Sequence, residues 1–176
     1  KGLIYRGLKP VNWCFNCETA LAEAEVEYED HSSPSIYVKF KVKNPENISG
    51  LPKKDLYLVI WTTTPWTLIA NVAVAVHPHF SYVLAETEKE ILVLEKNLSQ
   101  PILGKCNIKN YKVSKEVSGK DLNGLIYEHP FFYKGKCPVV LADYVTKEEG
   151  TGLVHTAPGH GQEDHQAGLK HGLEIV

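Results

Sequence analysis

What a chain like this can become is set first by how short its apolar runs are. Leu56 to Trp61 and Val72 to Val76 are the most continuous, and each stops at a turn signal, Thr62-Thr63-Thr64-Pro65 and His77-Pro78-His79. Short runs rich in β-branched and aromatic residues are strand signals, whereas a bilayer span needs ~20 apolar residues in a row. Residues 36–42, Ile-Tyr-Val-Lys-Phe-Lys-Val, alternate as a half-buried strand does. Further strands are predicted at Tyr82 to Ala85 and Ile91 to Leu94, as a hairpin, and at Val139 to Ala142 and Leu153 to His155. Asn44 to Lys54, with Pro45, Gly50 and Pro52, is a loop, and Gly104 to Asn123 reads as strand and loop. Helical signals are few. One helix is predicted over Gln162 to His171, between the Pro158-Gly159 turn and Gly172, and a short one over Ala20 to Glu25 capped by Thr19. There is no βαβ alternation and no internal repeat, so the expected class is α+β, a closed or nearly closed β-barrel with helical decoration.

Composition narrows the class further. With 43% apolar and 23% charged residues the 176-residue chain is globular, not a disordered tail. Lys+Arg 19 against Asp+Glu 21 gives a net charge of −2, which excludes a strongly basic nucleic-acid arm but not a local contact with one end of a nucleic acid. The chain begins at Lys1 and has no methionine, so it is expected to be a piece of a longer, intracellular protein. Cys14-x-x-Cys17 is half of a zinc motif, and closing it with the distant Cys106 and Cys137 is poor spacing, so any further ligands are expected outside this piece.

Two polar segments could carry chemistry. The first, residues 155–165, concentrates His155, His160, Asp164 and His165. A metal site is one reading, but the spacing lacks the middle histidine of a dizinc His-x-His-x-Asp-His motif. For His160 and His165 the plainer reading is a solvated loop and helix surface. Asp164 falls in the first turn of the predicted helix, where the dipole favours a carboxylate. The functional reading is a carboxylate at a pocket mouth, holding a cation. The second segment, Trp61 to Thr67, puts three consecutive threonines at a strand end, with hydroxyls on both faces. Strand propensity and a turn at Pro65 would explain it, as would hydroxyls that bind a substrate oxygen or a water. No nucleophile–base pair of the Ser/His/Asp kind accompanies either segment.

Taken in order, TALAEAEVEY (19–28), WTTTPWTLIANVAVAVHP (61–78) and GTGLVHTAPGHGQED (150–164) resemble the editing domain inserted into isoleucyl-tRNA synthetases. Residues 1–11 look like the family's incoming strand. Sister valyl and leucyl domains read Thr-Thr-Arg-Pro-Glu-Thr and Thr-Thr-Arg-Pro-Asp-Thr, whereas Thr64 and Trp66 stand here at the Arg and acid positions. Ile69 stands where the isoleucyl motif usually has Pro.

The resemblance implies a single β-barrel-centred editing domain over 1–176, joined to its parent through 1–11 and about 173–176. It implies hydrolysis of valine from the 3′ acceptor end of the isoleucine tRNA, in the cytoplasm and away from membranes. Asp164 would bind the α-ammonium, Thr62, Thr63 and Thr64 would orient water or ribose, and His155 and Trp66 would contact the substrate. No metal or cofactor is implied for the reaction. ATP and magnesium belong to the parent enzyme, whose HIGH and KMSKS signatures are absent here, and a structural zinc on Cys14 and Cys17 would draw its other ligands from outside the piece. The competing classes are a non-catalytic module that grips the tRNA acceptor end, and a zinc hydrolase.

Overall fold

The most continuous apolar run of the sequence becomes an inner strand of a five-stranded sheet. The computed structural model describes residues 2–4, 6–30, 32–131 and 135–176; Lys1 and Tyr5 of the expected incoming strand lie outside them. In chain order the first strands are β1 (Asn12–Cys14), β2 (Thr19–Leu21), β3 (Ile36–Lys41), β4 (Asp55–Thr62) and β5 (Ala73–Val76). Next come β6 (Ser81–Glu86), β7 (Glu90–Glu95), helix α1 (Lys96–Lys105), β8 (Lys112–Ser118) and the single turn α2 (Gly119–Leu122). The chain continues with β9 (Ile126–Tyr127), β10 (Cys137–Leu141), β11 (Leu153–Thr156) and α3 (Gln162–His171).

The larger sheet has the order β3-β4-β7-β6-β8 and the smaller one β11-β5-β10-β9. Both mix pairings: β4–β7 and β5–β10 are parallel, and the remaining pairs are antiparallel. Leu56, Leu58 and Ile60 of β4 face the main core together with Phe40, Val74, Leu84 and Leu153. The opposite face of β4 is also covered, because Val59 joins Leu92, Leu94, Ile102 and Leu103 beneath α1. A strand buried on both faces reads as a continuous apolar run, and this one does. In β5 the alternation sends Val74 and Val76 into the main core and Ala73 and Ala75 into a separate cluster with Val140, Ala142 and Val145.

The expected barrel is not closed. The two sheets join at one corner, where Lys43 N–H donates to the Ile126 carbonyl and Glu128 N–H to that of Lys41. At the opposite side β11 lies beside β4 without a ladder between them, its ladder partner being β5. A cavity lined by the ends of both strands occupies that seam. The architecture is therefore mixed α+β among the described residues, with these two sheets open and β1 and β2 forming a separate two-stranded one. No described helix is long and apolar enough to cross a membrane.

Two local expectations are corrected. Thr19 opens β2 instead of capping a helix, and only a 3₁₀ turn, Glu23–Glu25, follows it. Residues 96–105 form a helix that the sequence does not predict. Pro101 and Gly104 look like breakers, but Glu95 caps the helix by accepting N–H bonds from Asn97 (2.7 Å) and Leu98 (3.0 Å). α3 runs over the predicted residues and ends on Gly172 in the left-handed conformation, φ 63°.

Glu95 also sets a limit on the loop that reaches the seam. A Cβ on Gly152 would lie 2.3 Å from Glu95 Cβ, and Gly152 has φ +74°. Gly152→Ala should cost about 2–4 kcal/mol, from left-handed strain plus overpacking. A urea unfolding curve measures it; an unchanged midpoint would contradict the contact.

Candidate active site

β4 delivers the threonines. At its end the Thr62 hydroxyl accepts the Thr64 N–H (3.1 Å), a side-chain turn that bends the chain into the 3₁₀ segment Pro65–Ala70. The Thr64 carbonyl then receives two bonds from Thr67, one from N–H (3.0 Å) and one from the hydroxyl (2.8 Å). From across the seam β11 brings His155, opposite Val74 in register, and the first turn of α3 brings Asp164. These groups line one cavity of about 340 Å³, formed by residues 61–64, Thr146, 149–155 and Asp164. That volume is at the small end of the ~300–1,000 Å³ usual for ligand sites. A wider crevice of about 480 Å³, between residues 9–12, 21–23 and 159–162, is lined mostly by exposed side chains and lacks this convergence.

Asp164 is half-buried. Its Oδ2 accepts the Ala157 N–H (2.9 Å), and the Tyr144 hydroxyl lies 3.4 Å from Oδ1 and equally far from Thr156 Oγ1. Burial raises its pKa above the ordinary carboxylate value, opposed by the bonds from Ala157 and Tyr144. Tyr144, itself pushed up to about 12 chiefly by burial, keeps its proton and serves as a donor. Among the described residues no lysine or arginine pairs with Asp164.

His155 is buried and its pKa is depressed to about 4, first by burial and then by His160. The ring is neutral at physiological pH. Both nitrogens have protein partners: Nε2 lies 3.0 Å from Thr67 Oγ1, and Nδ1 lies 3.5 Å from Asn71 Nδ2. The imidazole is thus built into the wall of the cavity.

Of the sequence-derived residues, Thr62, Thr63, Thr64, His155 and Asp164 meet in this cavity, while Trp66 is 64% exposed and does not line it; Trp61 does. His160 is exposed and His165 partly so, and among the described residues no three His, Cys, Asp or Glu side chains are grouped to hold a metal. Cys14 ends β1 and Cys17 lies in the β1–β2 turn, with Cys17 N–H donating to Cys14 Sγ (3.4 Å). Hydrogen bonds from Cys17 and Asn16 lower the Cys14 pKa, and the same contact with Cys14 raises that of Cys17. Thr67, Asn71 and Tyr144 do not stand out in the sequence as site residues. For Asn71 a signal existed, since it is the one strongly polar residue in the stretch Leu68 to Val76.

Comparisons with known proteins bear on the family and the fold. Over its full length the chain is 54% identical to an isoleucine–tRNA ligase of Carboxydothermus hydrogenoformans, covering 18% of that protein. It is 50% identical, again over its full length, to one of Syntrophomonas wolfei subsp. wolfei, covering 19% of it. The chain therefore spans about a fifth of the length of the curated relatives it matches. In fold it is similar to the crystal structure of the P. knowlesi cytosolic leucyl-tRNA synthetase editing domain, with TM-score 0.65 and 12% identity over 82% of this chain and 67% of that one. Residues 1–143 match the family model for tRNA synthetases class I (I, L, M and V), and the chain belongs to that family.

Proposed function

We propose that this chain is the editing domain of a cytoplasmic isoleucyl-tRNA synthetase and hydrolyses the ester that joins valine to the 3′ end of the isoleucine tRNA. The observation that supports this most is the convergence of Thr62–Thr64, His155 and an uncompensated Asp164 on one small cavity. An apolar pocket gains only ~1–3 kcal/mol from one methylene, a limit for which isoleucyl-tRNA synthetases are themselves the standard example. That is too little to separate isoleucine from valine. A second, hydrolytic site removes the product that the first one lets through.

An aminoacyl ester is already activated and carries an α-ammonium. Asp164 binds the ammonium, which restores the carboxylate that burial disfavours, and so fixes the ester carbonyl. Thr62, Thr63 and Thr64 orient the attacking water and the terminal ribose, and the ribose hydroxyls assist proton transfer. His155 is a wall that admits valine and excludes isoleucine. Trp66, exposed beside the threonine turn, contacts the tRNA end. Residues 1–11 and about 173–176 connect the domain to the rest of the synthetase, whose ATP and magnesium chemistry lies elsewhere. Cys14 and Cys17 fit half of a tetrahedral thiolate site, so a structural zinc there takes its remaining ligands from outside residues 1–176.

Deacylation of valyl-tRNA in the presence of a strong chelator tests the assignment against its rivals. The editing reading expects turnover to persist at its untreated rate. Loss of turnover restored by zinc, in a protein that stays folded in the chelator, would point to a metal hydrolase, and binding of the acceptor end without any turnover would reduce the chain to a binding module.

A further inference from the structure

We propose that Tyr127, a core residue outside the cavity, is a positioning residue for it. Together with the Ala73 carbonyl it holds the Asn71 amide in the orientation that sets which ring nitrogen of His155 carries the proton, and with it the placement of the threonine turn. The effect on selectivity rests on the editing reading; the effect on His155 does not.

The argument is one of hydrogen-bond direction. Tyr127 is 1% exposed, its ring stacked on Phe40 at 5.0 Å and 8°, and its hydroxyl bonds to Asn71 Oδ1. Asn71 is completely buried, and its Nδ2 donates to the Ala73 carbonyl at 2.9 Å. A carbonyl can only accept, so the amide nitrogen faces Ala73 and the amide oxygen faces Tyr127, which must donate. The second Nδ2 hydrogen is then directed at His155 Nδ1, 3.5 Å away, and that nitrogen accepts. In a neutral imidazole the proton therefore sits on Nε2 and is donated to Thr67 Oγ1 at 3.0 Å. Thr67 is left to give its own hydrogen to the Thr64 carbonyl at 2.8 Å. Two backbone carbonyls, Ala73 and Thr64, terminate the chain, and every donor between them is assigned.

Reversing the ring tautomer would reverse the last two bonds. Nε2 would become an acceptor, Thr67 would turn its hydroxyl towards it, and the Thr64 carbonyl would lose a donor. Thr64 in turn contacts Thr62 Oγ1 through its own hydroxyl (3.2 Å), so the change reaches the cavity directly. Tyr127, Asn71, His155 and Thr67 are buried, where a bond left unmade is costly and networks respond as units, while Thr64 carries the change out to the exposed mouth of the cavity.

The test is 15N NMR of histidine-labelled protein, wild type and Tyr127→Phe, the variant keeping the stack on Phe40. Wild type should show His155 as the Nε2–H tautomer at neutral pH. In Tyr127→Phe the Nδ1–H form should rise to at least about a tenth of the population, with valyl-tRNA deacylation in the full-length protein about three- to tenfold slower. A wild-type ring protonated on Nδ1 overturns the proposal whether or not the variant folds, and so does a folded variant with the wild-type tautomer. A tautomer shift in a protein that deacylates nothing supports this proposal and removes the editing reading instead.

Discussion

Asp164→Ala should slow valyl-tRNA hydrolysis by tenfold or more and leave the protein folded. A charged hydrogen bond to the substrate ammonium is worth ~1.5–3 kcal/mol, and its loss appears in kcat/KM. The fold should tolerate the change because, among the described residues, the side chain hydrogen-bonds the Ala157 N–H and the Tyr144 hydroxyl alone, while α3 retains Glu163 in its first turn. The pH dependence carries a sign. The ionised carboxylate is the active form, and burial raises its pKa. Activity should therefore fall on acidification at a higher pH than an ordinary carboxylate would give, and the acid limb should vanish in the alanine variant. A variant that edits at the wild-type rate would show that Asp164 does not hold the substrate.

His155→Ala should change which ester is cut more than how fast. With the ring removed the wall recedes, so isoleucyl-tRNA, normally spared, becomes a substrate while valyl-tRNA is still hydrolysed. A rigid wall discriminates because overlap with one further methylene costs more than an apolar pocket recovers. The alternative is a general base, whose removal would slow both esters together by ~10²–10⁴-fold. The structure argues against it on two counts. A ring with a pKa of about 4 is a weak base at neutral pH, and both nitrogens already have partners in Thr67 and Asn71. Leaving those two groups unpaired should also lower stability by ~1–3 kcal/mol, so thermal melts must accompany the side-by-side deacylation assay. Equal losses on both esters would move His155 into the chemistry.

How much of this was legible in the sequence depends on the range of the interaction concerned. β4, β6, β7, β11 and α3 follow from periodicity and punctuation, which are local. α1 was hidden because its start is set by the Glu95 side chain and its middle contains Pro101, a residue whose local meaning is to stop a helix. The site motifs were visible as dense polar segments, but not their wiring. Tyr127 and Asn71 are 56 positions apart, and Asn71 and His155 84 apart. No pattern within a window of residues signals such a bond. The expectation of a closed or nearly closed barrel failed for a similar reason: strand count is local, but whether the last strand finds a ladder partner is decided by the whole arrangement.

Hydrolysis has two reactants, and the second is water. Had β11 paired with β4, the space between them would resemble the surroundings of Val74, Leu84 and Leu153, filled by hydrocarbon and dry. Instead the strand ends part, and the exposed Thr63, Thr64 and Glu149 border a hollow that solvent can reach. Hydration of the site is thus a property of incomplete sheet closure. In the proposed hydrolysis, water would reach the cavity by diffusion along this seam.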